Sequence, residues 1–402
     1  MSTSADPDRP IAIAGAGIGG LAAALALRAR GHDIVVFDKV AALKEVGAGL
    51  QLSPNACAVL KSLEVLEDLK PYACAPDSLT IWSGRSGQRL AGVTMGTFLK
   101  DRHGFPFWQV HRADLQQTLL AKVRTTPGIT VRLGCEVLDL KASPYDHLTC
   151  VFRDGETEES QPCKALVGAD GVWSKVRRLV PGHENARFSG QVAYRATLPI
   201  DAVPRRWTTG PGLWLQQRSH LVHYPVRGGR ELNVVALTQE DWQDETWSAK
   251  ADKDGLLHLF RDWPAEVRNL LGLADTWLKW ALCSVDASGP WTHGNTALIG
   301  DAAHAMLPFM AQGAAMSLED AAVLASHLPR DVTNIPAALR AYERQRKSRV
   351  THVQNISFGN ARTFHYSGAM AFARDTALRL APPARLAARY DDIYGWQPPA
   401  FS

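Results

Sequence analysis

Ile11-Ala12-Ile13-Ala14-Gly15-Ala16-Gly17-Ile18-Gly19-Gly20-Leu21-Ala22-Ala23-Ala24-Leu25 decides the fold. Ile11–Ala14 is a short apolar run of the kind that forms a buried strand, and Leu21–Arg30 has the Ala and Leu content of a helix. Gly31 ends that helix as a left-handed cap, and Ile34–Phe37 is a second buried strand closed by Asp38. Together they make a β-α-β unit of roughly thirty residues. The glycines between strand and helix follow G-x-G-x-x-G. Gly15 permits the tight turn, Gly17 leaves room for a pyrophosphate, and Gly20 lets helix and strand pack closely, so a diphosphate meets the free N–H groups of the helix end. Asp38, 18 residues beyond Gly20, is where a carboxylate accepts hydrogen bonds from ribose hydroxyls. The competing reading is a glycine-rich turn with no ligand, and the motif alone does not separate FAD from NAD.

Further along, Ser53-Pro54 is an N-cap and first helical position for a helix to about Leu63, and Arg112–Val123 is an amphipathic helix. Ala165-Leu166-Val167-Gly168-Ala169-Asp170-Gly171 is an apolar strand and a turn, followed by the expected start of a helix. Ala297-Leu298-Ile299-Gly300-Asp301 is another strand ending in an acid. Ligands of parallel α/β sheets sit at such carboxyl ends, although an ordinary strand-to-helix turn capped by Asp gives the same pattern. Between them lie β-rich segments at Gln191–Ile200, Gly212–Gln217, His220–Val226 and Glu231–Leu237, divided by Pro and Gly turns. Trp207, Trp214, Trp242, Trp247 and Trp263 cluster around them. Helices are expected over Ala314–His327 and Ile335–Asn355. The fold class is therefore α/β: a Rossmann-like dinucleotide domain, an inserted antiparallel sheet and C-terminal helices. The expected division is 1–75, 101–180 and 285–360 for the cofactor unit, 76–100 and 181–284 for the β-rich unit, and 361–402 for a C-terminal helical segment.

The chain has 402 residues, 46% of them hydrophobic and 21% charged, with a formal charge of +4. That balance suits a globular protein and is no nucleic-acid signature. The six cysteines form no CxxC pair, which fits a reducing compartment and argues against zinc or a disulfide framework. The thirteen histidines lack HxxxH or HExxH spacing, so no metal site is expected. The polar first ten residues suggest a tail rather than a signal peptide, and no run of eighteen apolar residues is available to span a bilayer. A cytoplasmic protein without nucleic-acid or membrane partners is expected. Tyr342–Arg349 is a charged helical run, taken as a solvated face.

In order and spacing the three motifs resemble the flavoprotein aromatic hydroxylases of the p-hydroxybenzoate hydroxylase fold. Gly168–Gly171 matches the family's "DG" motif and Gly300-Asp301 its "GD" motif. Val46–Asn55 and His220–Val226 are similar to the salicylate hydroxylase, 3-hydroxybenzoate 6-hydroxylase and 6-hydroxynicotinate 3-monooxygenase group. The resemblance implies FAD in the single dinucleotide site, with NADH or NADPH as a transient co-substrate. It implies that Asp301 holds the ribityl and pyrophosphate region, Arg112 the pyrophosphate and Val137 the adenine. Gly313 and Ala314 would line the isoalloxazine, at the positive end of a helix. It further implies hydroxylation of a small electron-rich aromatic by O₂ through a C4a-hydroperoxyflavin, with a homodimer as the assembly the family suggests.

The resemblance also points to His220 and Tyr224 as the pair lining the substrate pocket. Residues four apart in a strand share a face and lie about 13 Å apart along it, while His223 faces the other way. A His beside a Tyr offers a hydrogen-bond relay at a substrate hydroxyl. Tyr224 packed in the sheet with His220 at the surface is the alternative. Gln312 matches a polar residue near the reacting carbon, or else caps the helix after it. The hydroxynicotinate members carry His where this chain has Gln51, which can hydrogen-bond but not act as a base, so a hydroxybenzoate-like acid is favoured over a hydroxypyridine acid. A non-oxygenating flavin oxidoreductase is the other alternative. Arg195, Arg218 and Arg227 are available for a carboxylate, and no one of them is singled out.

Overall fold

The computed structural model describes residues 9–43, 48–142, 148–242 and 248–400. Val46, Gly47 and Trp247 fall outside these. The first sheet has six strands, in the order Thr292–His293, Thr296–Leu298, Ala165–Gly168, Ile11–Ala14, Ile34–Asp38 and Ile129–Leu133. Ile11–Ala14 lies parallel to both neighbours, with Ile11 opposite Ala165 and Ile34. Its four residues are buried on both faces, as parallel strands covered by helices must be. The helix after it runs Ile18–Ala29, three residues earlier than propensity places its start. Gly19 and Gly20 thus lie inside the first turn, where close approach outweighs glycine's poor helix propensity. Gly31 has φ +87° and donates its N–H to the Arg28 carbonyl at 2.8 Å, the expected cap.

The second sheet has eight strands, in the order Ser248–Ala251, Trp277–Ser284, Arg187–Pro199, Glu231–Gln239, Ser219–Val226, Gly212–Gln216, Ser78–Ser83 and Arg89–Thr94. One face packs Trp207, Trp214 and Trp263 with Leu256 of the helix Lys253–Leu259, Phe260 at its end, and Val267 and Leu271 of the helix Ala265–Leu273. The other face turns Ala193, Val235 and Leu237 toward Leu307, Phe309 and Ala361. One side of the sheet is therefore closed by its own helices, and the other meets the segment that follows Gly300-Asp301.

Three expectations need correction. The long helix covers Ile335–Phe364 and continues past Asn355. Its charged run is not simply a solvated face: Tyr342 and Arg346 are buried, and Arg346 donates to Glu319 at 2.6 Å and Asp320 at 2.7 Å. The segment after Gly171 forms only a short 3-10 turn at Val176–Leu179. The chain ends in the helices Gly368–Leu380, Pro383–Ala388 and Asp391–Tyr394. Among the described residues no helix is long and apolar enough to cross a membrane. No group of three or more His, Cys, Asp or Glu among them is placed to hold a metal ion.

Candidate active site

The strand Ile11–Ala14 stops at Gly15, whose φ of +105° favours glycine. A Cβ there would come within 2.4 Å of the Ala169 carbonyl oxygen, so the glycine turn lies against the Gly168–Gly171 turn. A Cβ on Gly20 would stand 1.9 Å from the Gly15 oxygen. Gly17 is different, because nothing lies within 4 Å of a Cβ built on it. No side chain caps the helix at Gly17, and no acid sits in its first turn. Free N–H groups beside open space, at the positive end of a helix, form a donor set suited to a diphosphate.

The sequence-derived cofactor residues gather around this turn. Asp38 accepts from the Ala16 N–H at 2.6 Å and the Val40 N–H at 3.0 Å. Val137 pairs with Phe152, whose ring lies 4.6 Å from that of Phe37 beside Asp38. Gln116 donates to the Ala16 carbonyl at 2.8 Å and so ties the helix Arg112–Thr125 to the turn. Arg112 is exposed at the first position of that helix. Gly300, at φ +56°, has a Cβ position 2.4 Å from Ser317 Oγ, and that of Gly19 is 3.3 Å from Ser317 Cβ. The first and third motifs therefore converge on the opening of the helix Gly313–His327. Asp301 is exposed there, and Gly313 and Ala314 begin a helix with no side-chain cap and no acid in its first turn. Two uncapped helix ends, with open space at Gly17 and Gly313, fit FAD.

Asp170 is a cap: it accepts from Ser174 Oγ at 2.5 Å and from the N–H groups of Lys175 and Val176 at 2.7 and 3.2 Å. Sequence reasoning missed Arg177, which donates to the carbonyls of Val172, Ala302 and Asp301 at 3.0, 2.8 and 3.1 Å. This arginine fastens the second motif to the third. Its position six residues beyond Gly171, where a helix was expected to start, was the available signal.

On the sheet, His220 pairs with Leu237 and Tyr224 with Asn233, so both side chains stand on the face turned toward the cofactor unit. His223 occupies the opposite face, edge-on to Trp207 at 4.9 Å, and burial pulls its pKa down to about 3. A Cβ on Gly49 would meet the Tyr224 ring at 2.4 Å, so the strand Gly49–Leu52 passes directly across it. Gly49 donates its N–H to Asn233 Oδ1 at 2.8 Å. Gln51 is on the same strand, opposite Gln109 and partly exposed. Burial drives the Tyr224 hydroxyl above its ordinary pKa, opposed by the charge of Arg195.

His220 is buried against the rings of Phe309 and Phe364, at 5.0 and 5.6 Å, and its Nδ1 lies 2.9 Å from Nε2 of His365. Burial, with His365 beside it, holds its pKa well below the usual histidine value. His365 follows the long helix, and nothing in its local sequence marks it. Gln312 is buried, with its amide engaged on both sides: it accepts from Asn55 Nδ2 at 3.1 Å and donates to Ser53 Oγ at 2.8 Å. Asn55 also donates to Glu319 at 2.7 Å. Asp320 accepts from the Gly300 N–H at 2.8 Å and contacts His304 at 2.6 Å. A buried polar network thus runs from Ser53 to Arg346, beneath the start of the helix Gly313–His327.

Residues 8–357 match the family described as FAD binding domain. A 3-hydroxybenzoate 6-hydroxylase of Aquipseudomonas alcaligenes is 33% identical, over 96% of this chain and 97% of that protein. A 3-amino-4-hydroxybenzoate 2-monooxygenase of Streptomyces platensis is 33% identical, over 96% of each chain. Among solved structures, a salicylate hydroxylase substrate complex superposes with a TM-score of 0.79 at 25% identity, covering 97% of this chain and 96% of that one.

Proposed function

The chain belongs to the FAD binding domain family and is an FAD-dependent aromatic monooxygenase; we propose that its substrate is a hydroxybenzoate-like acid and its electron donor NADH or NADPH. One observation carries the reading: His220 and Tyr224 share the sheet face that the Gly49–Leu52 strand crosses, beside the convergence of the three motifs. In this reading Gly15, Gly17, Gly20, Asp38, Arg112, Val137, Asp301, Gly313 and Ala314 hold FAD. Bound FAD would supply the redox chemistry that couples the nicotinamide and O₂ to the aromatic ring.

The chain's own residues orient the ring and manage its hydroxyl proton. Substrates of this class need a hydroxyl that pushes electrons into the ring, so the protein must favour the ionised form. His220 and Tyr224 serve that hydroxyl, and Gln51 contributes a hydrogen bond from the opposite wall. The apolar groups Val235, Leu237 and Phe309 keep water from the reacting atoms. Gln312, held by Ser53 and Asn55, fixes the opening of the helix under the flavin. A cytoplasmic protein, divided as the sequence motifs suggest, completes the reading, with the homodimer resting on the family resemblance alone; the six free thiols accord with a reducing compartment and the separate sheets with the division.

The test is a screen of hydroxylated and aminated aromatic acids with the FAD-loaded protein. NADH or NADPH oxidation and O₂ uptake should rise together with at least one acid. No response of O₂ uptake to any aromatic would remove the proposal.

A further inference from the structure

The face that carries His220 and Tyr224 also carries Arg195. Arg195 pairs with Val235, and Val235 with Val222, so the three side chains stand on one side of the sheet. Its guanidinium lies 4.5 Å over the ring of Trp280, which pairs with Ala193 on the same face. Arg195 Nε is buried and has no hydrogen-bond partner among the described residues.

Other arginines in the interior are answered by the protein. Arg346 meets Glu319 and Asp320, Arg227 meets Asp114, and Arg177 meets three carbonyls. For Arg195 no carboxylate among the described residues comes within ion-pair distance. Burial lowers its pKa to about 10, with Arg112 adding to the effect and Tyr224 opposing it, so it stays charged at neutral pH. A partly buried cation without a counter-charge is costly, and stacking on an indole offsets only part of that. A guanidinium presents paired N–H groups that match a carboxylate.

We propose that Arg195 is the carboxylate-binding residue of the cleft: the aromatic acid places its carboxylate on the guanidinium and its hydroxylated edge against His220 and Tyr224. This rests on the reading of that sheet face as the substrate wall. Arg195 and Val222 are two strands apart, roughly 10 Å between backbones, so the two ends of a single substituted ring are engaged from separate strands. The arginine then selects acids over neutral phenols, and Trp280 keeps the guanidinium plane fixed.

The experiment uses full-length, FAD-loaded wild type, Arg195→Met and Arg195→Lys. Binding of 2-, 3- and 4-hydroxybenzoate and of their uncharged amides is read from quenching of flavin fluorescence. FAD affinity is measured alongside. The wild type should bind its preferred acid at least tenfold more tightly than the matching amide. Arg195→Met should lose about a hundredfold for the acid and less than threefold for the amide, with Arg195→Lys between. Equal losses for acid and amide, an unchanged acid affinity, no acid bound by the wild type, or a tenfold loss confined to FAD would each overturn the proposal. A wild type whose O₂ uptake responds to neutral phenols but to no acid sinks the Arg195 assignment alone. One that responds to no aromatic sinks the functional reading itself.

Discussion

Nδ1 of His220 lies 2.9 Å from Nε2 of His365, a hydrogen bond between residues 145 positions apart that joins the central sheet to the end of the longest helix. Both imidazoles are held below their usual pKa by burial, His365 at about 4 with Arg374 adding to the effect. At neutral pH the pair is uncharged, and one proton lies between the two nitrogens. Whether Nε2 of His220 carries a hydrogen is therefore set by which partner holds that proton.

His365→Phe leaves His220 Nδ1 without a partner. Losing one buried hydrogen bond costs about 1–3 kcal/mol, so kcat should fall about ten- to a hundredfold while KM changes less than threefold. The acid limb of the kcat–pH profile should also move. An unchanged profile would show that His365 only packs.

His220→Ala and Tyr224→Phe remove the two groups proposed to serve the substrate hydroxyl. Each should slow product formation by about a hundredfold, with FAD content unchanged. Wild-type rates of product formation in both variants would take the pair out of the mechanism.

The glycine turn separates fold from cofactor. Gly20→Ala drives a Cβ into the Gly15 oxygen, so the protein should lose both stability and FAD. Gly17→Ala meets no neighbouring atom, and Gly17 has an ordinary φ of −74°. It should melt like the wild-type apoprotein yet bind FAD at least tenfold more weakly. Undiminished FAD binding by Gly17→Ala would place the diphosphate elsewhere.

Arg346→Leu takes one buried cation from Glu319 and Asp320, leaving Glu319 to Arg349 and Asp320 to His304. Breaking such a pair costs about 3–5 kcal/mol, and Asp320 also positions the Gly300 N–H. Thermal denaturation should show a large drop in Tm together with weaker FAD retention. A Tm within a degree of wild type would contradict the network's role.

His223 is kept neutral, near pKa 3 against about 6.5 when unfolded. Between those values the unfolded chain binds the extra proton, so stability is present at neutral pH and is lost as pH falls below about 6.5. At pH 5 this amounts to about 2 kcal/mol. Urea melts of wild type and His223→Leu at pH 7.5 and 5 should show a smaller pH dependence in the variant. Equal dependence would contradict the assignment.

The β-α-β unit and the order of motifs were legible because they are local: strand, glycines, helix and Asp38 fall within one short stretch. The sheet strands were legible from Pro and Gly punctuation and from alternation, which also placed His220 and Tyr224 on one face. What escaped depends on distant partners. His365 acquires meaning only when Phe364 and Phe309 close over His220. Arg346 looks like any charged helix residue until Glu319 and Asp320 are folded beneath it. Arg177 gains its role only when the Ala302 and Asp301 carbonyls, more than 120 positions away, fold against it, and Arg195 was inseparable from Arg218 and Arg227 until the sheet register set it beside Trp280.

The central claim is tested most directly by turning over the FAD-loaded protein with NADH or NADPH and an aromatic acid under ¹⁸O₂, then weighing the product. The account requires a hydroxylated acid heavier by one ¹⁸O atom, formed in step with the nicotinamide oxidised. Nicotinamide oxidation that yields only H₂O₂, or product oxygen drawn from water, would contradict it.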